Sequence, residues 1–186
     1  MWPRRSRNLA PCRPIVGQVS GRAWTSSRHH GFLTLIAWRS AAVLPDVNVL
    51  IQGFLEDGTH HGECHRWLQR TVRGPAPFGM ADSVISGFLR IVTDPRIFKL
   101  PTSMGHAMEY ARWLRGQALA VAINPGPRHW ELLEGFCQGT GIRGPLVADA
   151  WFAALAMEHG CEWVTLDRDF SRFPGLRVSA PGSRSL

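Results

Sequence analysis

Ala42-Val43-Leu44-Pro45-Asp46-Val47-Asn48-Val49-Leu50 opens the organised part of this chain. A short apolar run that ends in polar residues reads as a buried strand, with Asp46 and Asn48 at its exit. Downstream, Cys64, Trp67, Leu68 and Val72 fall at helical spacing, and Phe78-Gly79-Met80 has the character of a second strand. Asp82 or Ser83 stands as N-cap to a helix carrying Val84, Ile85, Phe88, Leu89 and Val92, which Pro95 stops. Thr102 or Ser103 starts another, with Met104, Ala107, Met108, Ala111 and Leu114 on one face. Leu119 to Ile123 reads as a third buried strand, ended by an Asn-Pro-Gly-Pro turn. Trp130, Leu133, Phe136 and Cys137 mark the next helix. Leu146 to His159 is apolar almost all round and predicts a buried helix, stopped by Gly160. Cys161 to Leu166 is a fourth strand, and Arg177-Val178-Ser179 a short fifth.

Strands alternating with helices of 10–15 residues specify an α/β fold with helices on both faces of a parallel sheet. Right-handed crossovers restrict it to a doubly wound three-layer α/β/α sandwich of four or five strands. A chain of 186 residues suits one such domain. Its 45% hydrophobic and 19% charged content excludes a disordered protein. No apolar run reaches the roughly 20 residues that a membrane-spanning helix needs. Cys12, Cys64, Cys137 and Cys161 are scattered without a CxxC pair, which argues against a disulfide framework or zinc ribbon and suits a reducing cytosol.

The net charge of +7 suggests a polyanionic partner until it is located. Seven arginines and no acidic residue precede Asp46, so the remaining 14 basic residues balance all 14 acidic ones. Residues 1–40 mix Arg, Pro, Gly and Ser without a helical or strand period. A targeting peptide, a nucleic-acid-binding arm and a poorly ordered extension all fit that composition; the extension is the reading adopted here, followed by a domain over 41–180 and a tail over 181–186.

Ligands of an open parallel sheet bind beyond the carboxyl ends of its strands. Asp46 leaves the first strand there, Asp167 and Asp169 leave the fourth, and Asp149 lies early in the apolar helix. If the first and fourth strands are neighbours, these carboxylates converge and need a cation. An all-oxygen site suits Mg2+ or Mn2+, the metals of phosphoryl chemistry. Each acid also has a plainer reading: an Asx-turn at Asp46, a cap or first-turn acid at Asp149, turn formers at Asp167 and Asp169. His60, His61, Cys64 and His65 lack the spacing of a metal site and read as a solvated helix start. Trp67, Trp113, Trp130, Trp151 and Trp163 read as core. No GxGxxG, Walker A or GxSxG motif is present.

Taken in order, Leu44-Pro45-Asp46-Val47-Asn48-Val49-Leu50, Ser86-Gly87-Phe88-Leu89-Arg90-Ile91-Val92-Thr93, Pro95-Arg96-Ile97-Phe98, Val147-Ala148-Asp149-Ala150 and Thr165-Leu166-Asp167-Arg168-Asp169-Phe170 with Phe173-Pro174-Gly175-Leu176 resemble the PIN-domain ribonucleases, and among them the VapC toxins of bacterial toxin–antitoxin pairs. The resemblance spans about residues 42–178. It implies a PIN-like sandwich and a Mg2+-dependent endoribonuclease (Mn2+ as an alternative) that cuts structured RNA such as tRNA or rRNA in the bacterial cytoplasm. It also implies a homodimer, held in check by a cognate VapB-type antitoxin whose tail enters the acidic groove. Asp46 and Asp149 match the principal metal ligands and Asp167 the fourth acidic position. Asp169 matches a helper, and Asn48 and Thr165 match polar positions near the site. Arg90, Arg96 and Arg168 are candidate phosphate contacts, with Lys99, Arg143 and Arg172 behind them.

One departure stands out. Many PIN domains place a glutamate on the second helix where this chain has Gly87, so fewer carboxylates, water or Asp82 must serve, and a one-metal site is expected. A non-cleaving scaffold that binds RNA or antitoxin is the alternative that Gly87 raises. Asp46-x-Asn48-x-Leu50 also loosely resembles the nucleophile loop of haloacid-dehalogenase-like phosphatases, although that loop carries a second aspartate where Asn48 stands.

Overall fold

The computed structural model describes residues 43–139 and 141–183. The basic extension expected over 1–40 lies outside the described residues, as do 184–186 of the expected tail. In chain order the elements are β1 (Val43–Pro45), α1 (Val47–Phe54), α2 (His61–Arg73), β2 (Phe78–Ala81), α3 (Asp82–Val92), α4 (Met104–Arg115), β3 (Ala120–Ile123), α5 (His129–Gly139), α6 (Leu146–Glu158), β4 (Glu162–Val164) and β5 (Val178–Ser179). A 3-10 turn, Arg168–Arg172, lies between β4 and β5.

All five strands are parallel, in the order β3-β2-β1-β4-β5. The chain therefore moves outward from β1 through β2 to β3, then returns to the other side of β1. Right-handed connections put α1–α4 on one face, where α1 packs on α2 and α3 and α3 on α4, and α5 and α6 on the other, with α6 against β4. That is the expected α/β/α sandwich, and β1 and β4 are neighbours, as convergence of the acids requires.

The core follows from the periodicities. On α5, His129, Leu133 and Phe136 are buried at spacings of four and three. In α6, Ala150, Ala153, Ala154, Leu155 and Ala156 are buried, so mostly small side chains bring the helix close to the sheet. Trp163 of β4 is fully buried between Phe152, stacked at 5.4 Å, and Phe170 at 5.3 Å. Gly160 ends the α6 turn at φ +63°, a left-handed conformation that glycine adopts without Cβ strain.

Three expectations need correction, and one choice between neighbours is decided. The first strand ends at Pro45, and Val47–Leu50 are already helical, because the Asp46 carbonyl accepts from both Val49 N and Leu50 N. The cap of α3 is Ala81, without a side-chain bond, so Asp82 is a first-turn residue. Ser103 does cap α4, its hydroxyl accepting from His106 N at 3.3 Å. Trp130 is not core: it is 70% exposed, one position off the buried stripe of α5. Among the described residues, no helix is long and apolar enough to cross a membrane.

Candidate active site

The end of β1 and the end of β4 are sewn together by side chains. Pro45 pairs with Val164, and Asp46 N donates to Val164 O at 2.9 Å. Asp46 is only 6% exposed. Its Oδ2 accepts from Thr165 Oγ1 at 2.6 Å and from Asn48 Nδ2 at 2.8 Å. Asn48 reaches across with its other contacts, donating to Thr165 Oγ1 at 3.0 Å and accepting from Leu166 N at 3.2 Å. Thr165 Oγ1 also accepts from Asp167 N at 3.0 Å. Thr165 thus spends its single donor on Asp46 and fills both acceptor positions, which fixes the buried carboxylate in one orientation.

Acids far apart along the chain act on one another's charge at this edge. Burial first, and then the charges of Asp149 and Asp167, push the Asp46 carboxyl up to about 6 against the hydrogen bonds it accepts. Half-buried Asp149, in the first turn of α6, is likewise raised by burial and by Asp167 and Asp169, with Arg172 opposing. Asp167 keeps its plainer role as well, since its Oδ1 accepts from Asp169 N at 2.8 Å and caps the 3-10 turn. Asp149 is no N-cap, because that place belongs to Pro145.

The donor chemistry fits a hard cation. Asp149 and Asp167 raise the proton affinity of Asp46, and Asp167 and Asp169 that of Asp149, so a positive ion relieves a repulsion already present. Among the described residues, no three Asp, Glu, His or Cys side chains close around a point as a full metal cage. The fit lies in the donor type: carboxylate oxygens suit Mg2+, which retains water and binds through one or two carboxylates.

The other candidates disperse. Gly87 faces Val47: a Cβ added there would lie 2.8 Å from Val47 Cγ2, so α3 meets the start of α1 through an apolar contact where a ligand could have been. Asp82, the other acid considered in its place, pairs with Arg115, whose Nη1 lies 3.2 Å from Asp82 Oδ1. That pairing joins residues far apart in sequence and left no signal there. Arg96 pairs with Asp94 at 2.9 Å, and Arg90 adds to the positive field on the same aspartate. Arg90 lies in the last turn of α3 and Arg96 in the turn that follows it. Arg168 is exposed in the turn beside them. The histidine group serves α1: His61 Nδ1 meets Gln52 O at 3.1 Å and His65 Nδ1 meets Gly53 O at 3.2 Å, satisfying carbonyls of its last turn.

Comparison with known proteins agrees with the geometry. The family described as PIN domain matches residues 43–176. Ribonuclease VapC25 of Mycobacterium tuberculosis is 36% identical over 138 residues, covering 74% of this chain and 97% of that protein. Ribonuclease VapC43 of the same species is 36% identical over 136 residues, covering 73% and 92%. In fold, the chain is similar to a protein in the VapBC2 complex of Rickettsia felis, crystallised with a promoter DNA fragment (TM-score 0.55, 14% identity, 75% of this chain and 98% of that one). It is also similar to the sarcin–ricin loop-cleaving toxin VapC20 of M. tuberculosis (TM-score 0.51, 15% identity, 73% and 98%).

Proposed function

The chain belongs to the PIN-domain family and, within it, to the VapC ribonucleases, and from that premise we propose that it is the toxin of a toxin–antitoxin pair, a divalent-metal-dependent endoribonuclease of structured RNA. The observation that carries the reading is the buried Asp46 carboxyl, raised by burial and by Asp149 and Asp167 at the β1–β4 edge. Asp46 and Asp149 hold Mg2+ or Mn2+, with Asp167 contributing directly or through water. When bound, the ion supplies an activated water and neutralises charge on the phosphodiester. Thr165 and Asn48 hold the Asp46 carboxylate in position, so the site needs no reordering when substrate arrives.

The substrate is tRNA or rRNA in the bacterial cytoplasm, and the protein works as a homodimer. A VapB-type antitoxin offers a basic side chain to the same carboxylates and offsets their repulsion as the cation does. Purified protein is expected to cleave RNA in Mg2+ and to stop in EDTA, and Asp46→Ala to abolish both cleavage and growth arrest; undiminished activity of that variant overturns the reading. The Gly87–Val47 contact favours one alternative, a domain that binds RNA or antitoxin without cutting. EDTA-sensitive cleavage that copurifies with the protein and disappears in Asp46→Ala rejects it.

A further inference from the structure

Arg172 is tied to its own turn. Its Nε donates to the Asp169 carbonyl at 3.1 Å, and its Nη2 meets Asp169 Oδ1 at 3.1 Å. Two of the three guanidinium nitrogens are therefore fixed by one residue, while Nη1 has no partner among the described residues. The turn that carries Arg172 is fixed in turn: Asp167 Oδ1 holds Asp169 N, and Asp167 N donates to Thr165 Oγ1, which bonds Asp46. An unbroken series of hydrogen bonds runs from the buried carboxylate to a half-exposed guanidinium.

A group of carboxylates repels a phosphodiester as it repels itself. An ion between them neutralises part of that charge, and a cation on the protein is needed to draw the phosphate in. Arg90 and Arg96 stand by Asp94, and Arg115 by Asp82. Arg168 is close to the acids but makes no tethering bond. Arg172 combines nearness with a fixed orientation, and a guanidinium held on one edge presents its other edge to phosphate oxygens. Asp169, already ion-paired and exposed, is correspondingly poorly suited to ligate a metal.

We propose that Asp169 is the anchor of Arg172 and not a metal ligand, and that Arg172 seats the RNA phosphate over the acids. The bonds that join Asp46, Thr165, Asp167 and Asp169 in series place the Arg172 turn beside the acids. The inference rests on the nuclease reading, which Asp46→Ala tests separately.

The test measures two affinities apart from cleavage: bulk bacterial tRNA in EDTA, and Mn2+ without RNA by electron paramagnetic resonance. Arg172→Gln is expected to weaken tRNA binding and to lower the slope of log affinity against log salt by about one, the signature of one lost phosphate contact. Asp169→Asn adds a unit of net positive charge, which by charge alone tightens RNA binding. The anchor predicts the reverse, weaker tRNA binding, with Mn2+ affinity within about threefold of wild type, below the about 10- to 100-fold that losing a metal site's supporting groups costs. The double variant binds tRNA as Arg172→Gln does. Wild-type tRNA affinity and slope in Arg172→Gln, unchanged or tighter tRNA binding in Asp169→Asn, or a loss of Mn2+ affinity above tenfold in Asp169→Asn overturns the proposal.

Discussion

Thr165 Oγ1 donates to Asp46 Oδ2 at 2.6 Å across 119 positions of sequence, and this bond holds the one deeply buried carboxylate of the site in its working orientation. Replacing the hydroxyl by an isosteric methyl leaves Asp46 buried with one donor fewer. Thr165→Val is expected to raise the proton affinity of Asp46 further and to reduce cleavage at neutral pH about tenfold, the worth of a hydrogen bond to a charged group. The acid limb of the pH–rate profile moves upward in Thr165→Val and stays in place in Thr165→Ser.

Asp46 also sets a pH dependence of stability. Its folded value of about 6 lies above the ordinary 3.8, so the folded protein binds the proton more tightly than the unfolded chain does. Its contribution is neutral below the unfolded value and becomes unfavourable as pH rises from about 4 to 6, approaching about 3 kcal/mol above that range without metal. Thermal unfolding in EDTA should find Asp46→Asn more stable than wild type at pH 8 and equal to it near pH 4. Added Mg2+ raises the wild-type midpoint and leaves that of Asp46→Asn unchanged.

The coupling between the two ends of the site is measurable. Asp149→Asn removes a negative neighbour, so the Asp46 carboxyl should titrate below about 6, which NMR of the carboxyl carbon follows directly. The same variant loses cleavage, because Asp149 stands at the site itself. An Asp46 titration unmoved by Asp149→Asn rejects the convergence of these acids.

Gly87 is a packing requirement as well as a missing ligand. Alanine normally improves a helix interior by about 1 kcal/mol over glycine. Here the added methyl meets Val47 Cγ2 at 2.8 Å, and the short branched side chain has little freedom to withdraw. Gly87→Ala is expected to destabilise by about 1–3 kcal/mol in denaturant unfolding, and Val47→Ala in the same molecule to recover most of the loss.

The partition of charge gives a fifth expectation. The basic excess precedes Asp46, and the body of the protein is balanced. Removing residues 1–40 should leave RNA cleavage largely intact, read as initial rates of the purified truncated protein beside the full chain.

Much of this was legible in the sequence because the periods of burial alternate cleanly. The apolar strand ending at Asp46 and the all-round apolar helix at Asp149 identify the sheet, its covering and the edge where acids gather. The start of α1 was not legible: β1 has only three residues, and Val47-Asn48-Val49-Leu50 alternates as a strand does while its backbone is helical. Nor was Trp130, since an aromatic residue one step off a helical stripe differs from its neighbours only in direction. The Asp82–Arg115 pair and the Val47–Gly87 contact leave no local pattern, because they arise where α3 packs against α4 and α1.

The order of the strands has a consequence for biosynthesis. β1 is made first, yet it is completed on one side only by β4, and Asp46 waits 119 positions for Thr165. A ribosome must therefore translate nearly the whole domain before Asp46, Asp149 and Asp167 stand together. A chain cut short before β4 and the Asp167 turn holds no assembled site, so the host translating it is exposed to the activity only once those segments have been made.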